Sequence, residues 1–270
     1  MSNANGQSIW LSVPRSPRLP ALRLFCIPYA GGSATIFHGW QQFMPDGVVC
    51  CPVHLPGRGF RMREPLATDV RSIVESLSRS LIPYLDQPFA LFGHSMGALI
   101  CFELARSLAR LHGAQPSQLF VSAWRSPELR DSRRDYELGD AELISVLRSL
   151  NGTPDEILAN AEALELLLPI LRADLQMVQT YQHCEKESAA LTCPVRAYGG
   201  DRDNTITPDS IRPWKNHTTG PFSMSILPGD HMFLQAQPEF LRTLAEDLRH
   251  ILFPIHHNGR RCLVAAGRTY

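Results

Sequence analysis

The sequence predicts an α/β fold with a mostly parallel, doubly wound sheet, and three observations carry that reading. Short apolar runs alternate with amphipathic stretches along most of the 270 residues. One run, Pro88-Phe89-Ala90-Leu91-Phe92, leads through Gly93-His94-Ser95-Met96-Gly97 into a helical stretch, a strand, sharp turn and helix with a serine at the apex. Between Trp124 and Thr192 the alternation stops and the pattern becomes helical throughout.

Taken in order, Leu22 to Ile27 reads as the first strand, opening into the glycine-bearing loop Pro28-Tyr29-Ala30-Gly31-Gly32-Ser33-Ala34. Val48 to Val53 is a second core strand. Asp69 caps a helix whose apolar positions Val70, Ile73, Val74, Leu77, Leu81 and Leu85 recur at steps of three and four, which gives one buried face. The strand before Ser95 and the helix after it follow, then a strand at Leu119 to Ala123. Helices are expected at Asp140 to Leu150, at Pro154 to Asn160, and at Glu162 to His183 with an interruption at Pro169. Two strands, Cys193 to Tyr198 and Phe222 to Leu227, and an amphipathic helix from Glu239 to Leu252 close the pattern. The expectation is one domain over 1–270, with a helical lid at about 125–190 and a flexible tail at 255–270.

Ser95 is the candidate nucleophile, because the flanking glycines let strand and helix approach closely and leave the hydroxyl exposed. A serine hydroxyl needs a base, and that base needs an acid, arriving later in the chain in the order acid then histidine. Of the chain's ten histidines, His231 is the one with a strand, a turn and an acid ahead of it in that order. Two aspartates after the strand ending at Tyr198 compete for the orienting role. Asp203 is the first choice, since Ile206 turns the loop back; Asp201 sits closer to the strand end, where it suits a bond to turn backbone. Glu103 and Asp230 are set aside, lying on the helix after the serine and beside the histidine. The amides of Met96 and Ala30 are the expected oxyanion donors, each worth about 3–4 kcal/mol in the transition state. Gly31-Gly32 is not followed by either phosphate-binding glycine signature.

These stretches, with Leu55-Pro56-Gly57-Arg58-Gly59, Arg63-Glu64-Pro65, Asn151-Gly152-Thr153-Pro154, Leu167 to Asp174 and Gly229-Asp230-His231-Met232-Phe233, resemble the type II thioesterases over roughly residues 20–253. That family consists of stand-alone α/β-hydrolases associated with polyketide synthases and non-ribosomal peptide synthetases. The resemblance implies an α/β-hydrolase fold and hydrolysis of acyl thioesters from the phosphopantetheine arm of acyl or peptidyl carrier proteins, through an acyl-serine. It implies Ser95, Asp203 and His231 as the triad, Ala30 and Met96 as the oxyanion hole, and no cofactor beyond the partner's arm. The same triad would serve an acyltransferase or an ester hydrolase, and a silent carrier-binding module is the other class.

Composition agrees. Twenty-six basic and 26 acidic residues cancel, which favours neither nucleic acid nor an anionic membrane. Seven cysteines, with Cys50 and Cys51 adjacent in an apolar run, suit reduced thiols in the cytoplasm better than a disulfide framework. Residues 1–20 hold no apolar run of signal-peptide length, and a monomer is expected. No metal is expected: His256-His257 lacks other spaced ligands. Leu164, Leu167, Leu168, Leu171, Leu175 and Met177 are candidates to line an acyl channel, or else to pack the lid. Arg125, Arg130, Arg133 and Arg134 form a candidate carrier-docking patch.

Overall fold

A computed structural model describes residues 9–14, 19–184, 190–235 and 238–253. Six strands form one sheet: β1 (Leu22–Ile27), β2 (Val48–Pro52), β3 (Phe89–His94), β4 (Gln118–Ser122), β5 (Val195–Gly200) and β6 (Phe222–Leu227). Their order is β2-β1-β3-β4-β5-β6, and every pair is parallel. The central strands β1 and β3 are buried along their whole length, so Leu22, Leu24, Phe25, Cys26 and Ile27 of β1 and Phe89, Ala90, Leu91 and Phe92 of β3 supply apolar side chains to both faces.

The helices are α1 (Val70–Leu81), α2 (Met96–His112), α3 (Asp140–Ser149), α4 (Asp155–Leu158), α5 (Ala161–Gln179), α6 (Pro208–Ile211) and α7 (Glu239–Leu252). The Asp69 carboxylate caps α1 by accepting the Ser72 N–H at 2.8 Å. That helix buries Val70, Ile73, Val74, Leu77 and Leu81 on one side, and α2 joins it against the same face of the sheet. On the opposite face α7 buries Phe240, Leu241, Leu244 and Leu248 against Phe92, Trp40 and Tyr198. The sheet is thus covered on both sides. The six described cysteines are free, and all but Cys184 are buried.

The chain leaves β1 for β2 on one side and returns past β1 to β3 on the other. Loops diverge at such a switch point and leave a crevice at the carboxyl ends of the strands. The loop after β1, the turn after β3 and the loops after β5 and β6 all open onto that edge.

Between β4 and β5 the regular structure among the described residues is the helices α3, α4 and α5 with a short 3-10 turn before them, and the segment has a core of its own: Leu143, Leu147, Leu158, Leu168, Leu171 and Leu175 cluster apart from the two sheet cores. Arg172 ties its start to α5 by donating to the carbonyls of Tyr136 at 2.8 Å and Leu138 at 2.6 Å. The interruption expected at Pro169 does not occur; α5 continues through it, ending at Gln179. Pro169 and Glu165 both lie on the exposed side, so the carbonyl that loses its N–H donor is left to water rather than buried. The tail expected at 255–270, including His256-His257, lies outside the described residues.

Candidate active site

Ser95 sits between β3 and α2 at φ 53° and ψ −122°, a strained conformation for a residue with a Cβ. The turn is packed so closely that neither Gly93 nor Gly97 could carry a side chain. A Cβ on Gly93 would lie 2.1 Å from the Gly97 carbonyl oxygen, and one on Gly97 would lie 2.2 Å from that of Ile27. The Ser95 amide donates to the Ser122 carbonyl of β4 at 2.7 Å, which fixes the turn from the other side.

The loop after β6 brings His231 over this turn, with Nε2 3.0 Å from Ser95 Oγ. Its Nδ1 lies 2.8 Å from Asp203 Oδ2, on the loop after β5. Because a carboxylate accepts, Nδ1 carries the hydrogen and Nε2 is left to accept from the serine hydroxyl. The second oxygen of Asp203 accepts from the Thr205 amide at 2.8 Å, the Thr205 hydroxyl at 2.7 Å and the Ile206 amide at 3.0 Å. Burial alone would raise its pKa, but these donors and the imidazole outweigh it and hold the group at about 2. All three residues are buried. Asp201 is turned elsewhere: its Oδ1 accepts the Gly229 N–H at 2.8 Å and so braces the loop that carries His231.

A cavity of about 450 Å³ lies above the serine. Ser95, Met96, Ala30 and His231 line its floor, while Asp203 stands behind the imidazole and does not reach the cavity. Among the described residues the amides of Ala30 and Met96 have no acceptor; that of Met96 is the first of the α2 amides, which have no partner within the helix. The walls are largely apolar and come from the helical segment together with Tyr29, Ile36, Trp124 and Ile206. Of the six leucine and methionine candidates, Leu167, Leu171 and Leu175 line the cavity. Leu168 packs within the segment's own core with Leu164 against it, and Met177 joins the sheet core. Val146, Leu147, Leu150 and Ile157 also face the cavity, and no sequence argument had singled them out.

The arginine cluster is mostly neutralised from within. Arg125 and Arg133 pair with Asp131 at 3.2 and 2.7 Å, and Arg134 pairs with Glu137 at 2.5 Å. Arg130 is exposed and has no ion pair among the described residues. Three further contacts near the site went unread in the sequence. His94 bonds the main chain of His231, Asn151 Nδ2 donates to Asp230 at 3.1 Å, and Arg58 pairs with Asp174. The last had a signal: Asp174 is a carboxylate within a long apolar helical run, a place where a charge needs a partner.

The chain is similar to known proteins over most of its length. Residues 22–251 match the thioesterase domain family. The chain is 43% identical over 235 residues to the gramicidin S biosynthesis protein GrsT of Aneurinibacillus migulanus, covering 86% of this chain and 91% of that one. Its fold superposes on RedJ, a thioesterase from the prodiginine biosynthetic pathway of Streptomyces coelicolor, with a TM-score of 0.79 at 39% identity, covering 87% of this chain and 97% of RedJ. It superposes equally on BorB, a type II thioesterase from the borrelidin biosynthetic cluster, with a TM-score of 0.81 at 34% identity over 90% of this chain and 99% of BorB.

Proposed function

The chain belongs to the thioesterase domain family, and from that premise we propose that it hydrolyses acyl thioesters held on the phosphopantetheine arm of a carrier protein, with Ser95 as the nucleophile. The observation that carries the reading is the hydrogen-bonded line from Ser95 Oγ through His231 to Asp203 at the floor of a largely apolar cavity. Fold and family name a thioesterase; the cavity and its walls suit an acyl chain.

In the first half of the reaction, His231 Nε2 takes the Ser95 proton as Oγ attacks the thioester carbonyl carbon. Asp203 keeps the imidazole in the tautomer that accepts at Nε2, and its charge stabilises the imidazolium that forms. The carbonyl oxygen gains negative charge between the Ala30 and Met96 amides, which have no competing acceptor among the described residues. Collapse of the tetrahedral species breaks the C–S bond and leaves an acyl-serine; the arm departs as a thiol with the proton from His231. In the second half His231 takes a proton from water, the hydroxide attacks the ester carbonyl, and Ser95 is released with the free acid. Every role falls to a side chain or a backbone amide, so the chemistry calls for no cofactor.

The helical segment from about 125 to 190 is proposed to act as the lid over this cavity. Among the described residues no helix is long and apolar enough to cross a membrane. A carrier protein loaded with an acyl group, incubated with the enzyme and weighed by mass spectrometry, tests the reading. The expected outcome is loss of the acyl mass with release of the free acid, and no loss with Ser95→Ala. Transfer to another acceptor would make the protein an acyltransferase instead, and equal loss with Ser95→Ala would end the proposal.

A further inference from the structure

We infer that the buried Arg58–Asp174 pair is a strut that aims the oxyanion loop, coupling the helical segment to the site chemistry through the backbone that follows Ala30. Asp174, on α5, has a wholly buried side chain, and that of Arg58, in the loop after β2, is 5% exposed. The guanidinium binds the carboxylate with both amines, Nη1 to Oδ2 at 2.5 Å and Nη2 to Oδ1 at 2.8 Å. The same Oδ2 accepts the Gly31 N–H at 2.8 Å. Arg58 Nη1 also reaches the Gly32 carbonyl at 3.4 Å, and its Nε reaches that of Pro56 at 3.3 Å. The two residues immediately after Ala30 are therefore gripped by one ion pair, one through its amide and the other through its carbonyl.

Stability is a poor account of this arrangement. Removing two charges from water costs as much as, or more than, their attraction returns, and well-packed apolar replacements of such pairs are often no less stable. What the pair does supply is direction. A peptide plane carrying a free N–H at a cavity floor must be held from outside, since the donor itself has no partner until charge develops on the substrate. Gly31, at φ +76°, gives the loop its turn, and Leu167 and Leu171 of α5 lie where a Cβ there would meet them at 3.5 and 3.6 Å. Neither Arg58 nor Asp174 lines the cavity, so both are positioning residues. Because Asp174 belongs to the helical segment and Arg58 to the sheet side, the hole is complete only while α5 stays docked.

The inference rests on the roles proposed above for Ser95 and the Ala30 amide, and its test keeps the two separate. The double variant Arg58→Met/Asp174→Leu removes both buried charges together; Asp174→Asn, nearly the same shape, gives the same readouts if the double variant does not fold. Each is measured on a soluble acyl thioester for kcat and KM, and against a dodecyl trifluoromethyl ketone, which adds to a serine and places an oxyanion where the substrate's would be. The expected result is a folded protein with kcat lowered on the order of 10²-fold, KM within about threefold, and ketone affinity lowered in parallel with kcat. Unchanged kcat, or a fall in kcat with ketone affinity intact, overturns the strut. Ser95→Ala run alongside discriminates: activity retained there overturns the underlying reading and the strut with it, whereas an inactive Ser95→Ala beside a fully active double variant overturns the strut alone.

Discussion

The ring of His94 bonds the backbone of His231: its Nε2 lies 2.8 Å from the His231 carbonyl oxygen, and its Nδ1 lies 2.9 Å from Ser122 Oγ. A carbonyl only accepts, so Nε2 carries the hydrogen and Nδ1 accepts from the serine hydroxyl. The residue before Ser95 thus holds the loop that carries His231, and ties both to β4.

Replacing His94 by alanine removes both bonds and leaves the His231 carbonyl without its donor at a buried site. The expected loss of stability is about 2–3 kcal/mol, read from urea denaturation. Because the His231 loop also loses its anchor, kcat is expected to fall by on the order of tenfold. A variant as stable and active as the wild type would show that this bond does not hold the loop.

Acid stability follows from the same ring. Burial first, then the neighbouring His231, holds the pKa of His94 well below the ordinary range, whereas in the unfolded chain it titrates near about 6.5. The unfolded chain therefore takes up a proton that the native state refuses. The stability linked to this group is fully present above about pH 6.5 and declines as the pH falls, by about 1.4 kcal/mol per unit. His54, drawn down to about 4 by burial and then by Arg61, acts with the same sign. Asp203 adds a lower limb: its contribution is present above its ordinary value of 3.8 and is lost as the pH falls through about 2. Urea midpoints measured from pH 7.5 downward should decrease steadily on acidification, and a flat profile between about pH 6.5 and 4 would contradict the assignment for His94.

The two aspartates after β5 separate by kinetics. Asp203→Asn removes the charge opposite His231 Nδ1 and favours the wrong tautomer, so kcat is expected to drop on the order of 10⁴-fold. Among the described residues the Asp201 side chain bonds the Gly229 amide, so Asp201→Asn, which keeps an accepting oxygen, should stay within about tenfold of wild type. Equal losses in the two would remove the distinction.

On the proposed function, the cavity wall selects which acyl groups fit. Leu171 lines the cavity and also belongs to the helical segment's own core, so enlarging it fills the space without adding charge. Leu171→Phe should lower kcat/KM for a long acyl chain by about tenfold while leaving an acetyl thioester nearly unchanged. A uniform change across chain lengths would place the acyl chain elsewhere.

Much of the architecture could be read in advance because it depends on near neighbours in the chain. The bounds read for β1, β6 and α7 coincide with those observed, since turn residues and apolar periodicity are local signals. The Gly93 to Gly97 turn and the strand–loop order leading to Asp203 and His231 were legible for the same reason. Side-chain direction was not. Whether Asp201 or Asp203 meets the imidazole depends on where the β6 loop folds back, and which α5 leucines face the cavity depends on how that helix seats on the sheet. The continuity of α5 through Pro169 depended on the exposed setting of the orphaned carbonyl. Arg58 and Asp174 stand 116 positions apart, too far for any local pattern to pair them. Spacing along the chain singles out Ser95, Asp203 and His231 and their order, because strand, turn and helix each form within a few residues. Long-range packing alone aims them, because a hydrogen bond needs its partners within about 3 Å, and only the assembled fold brings distant residues that close.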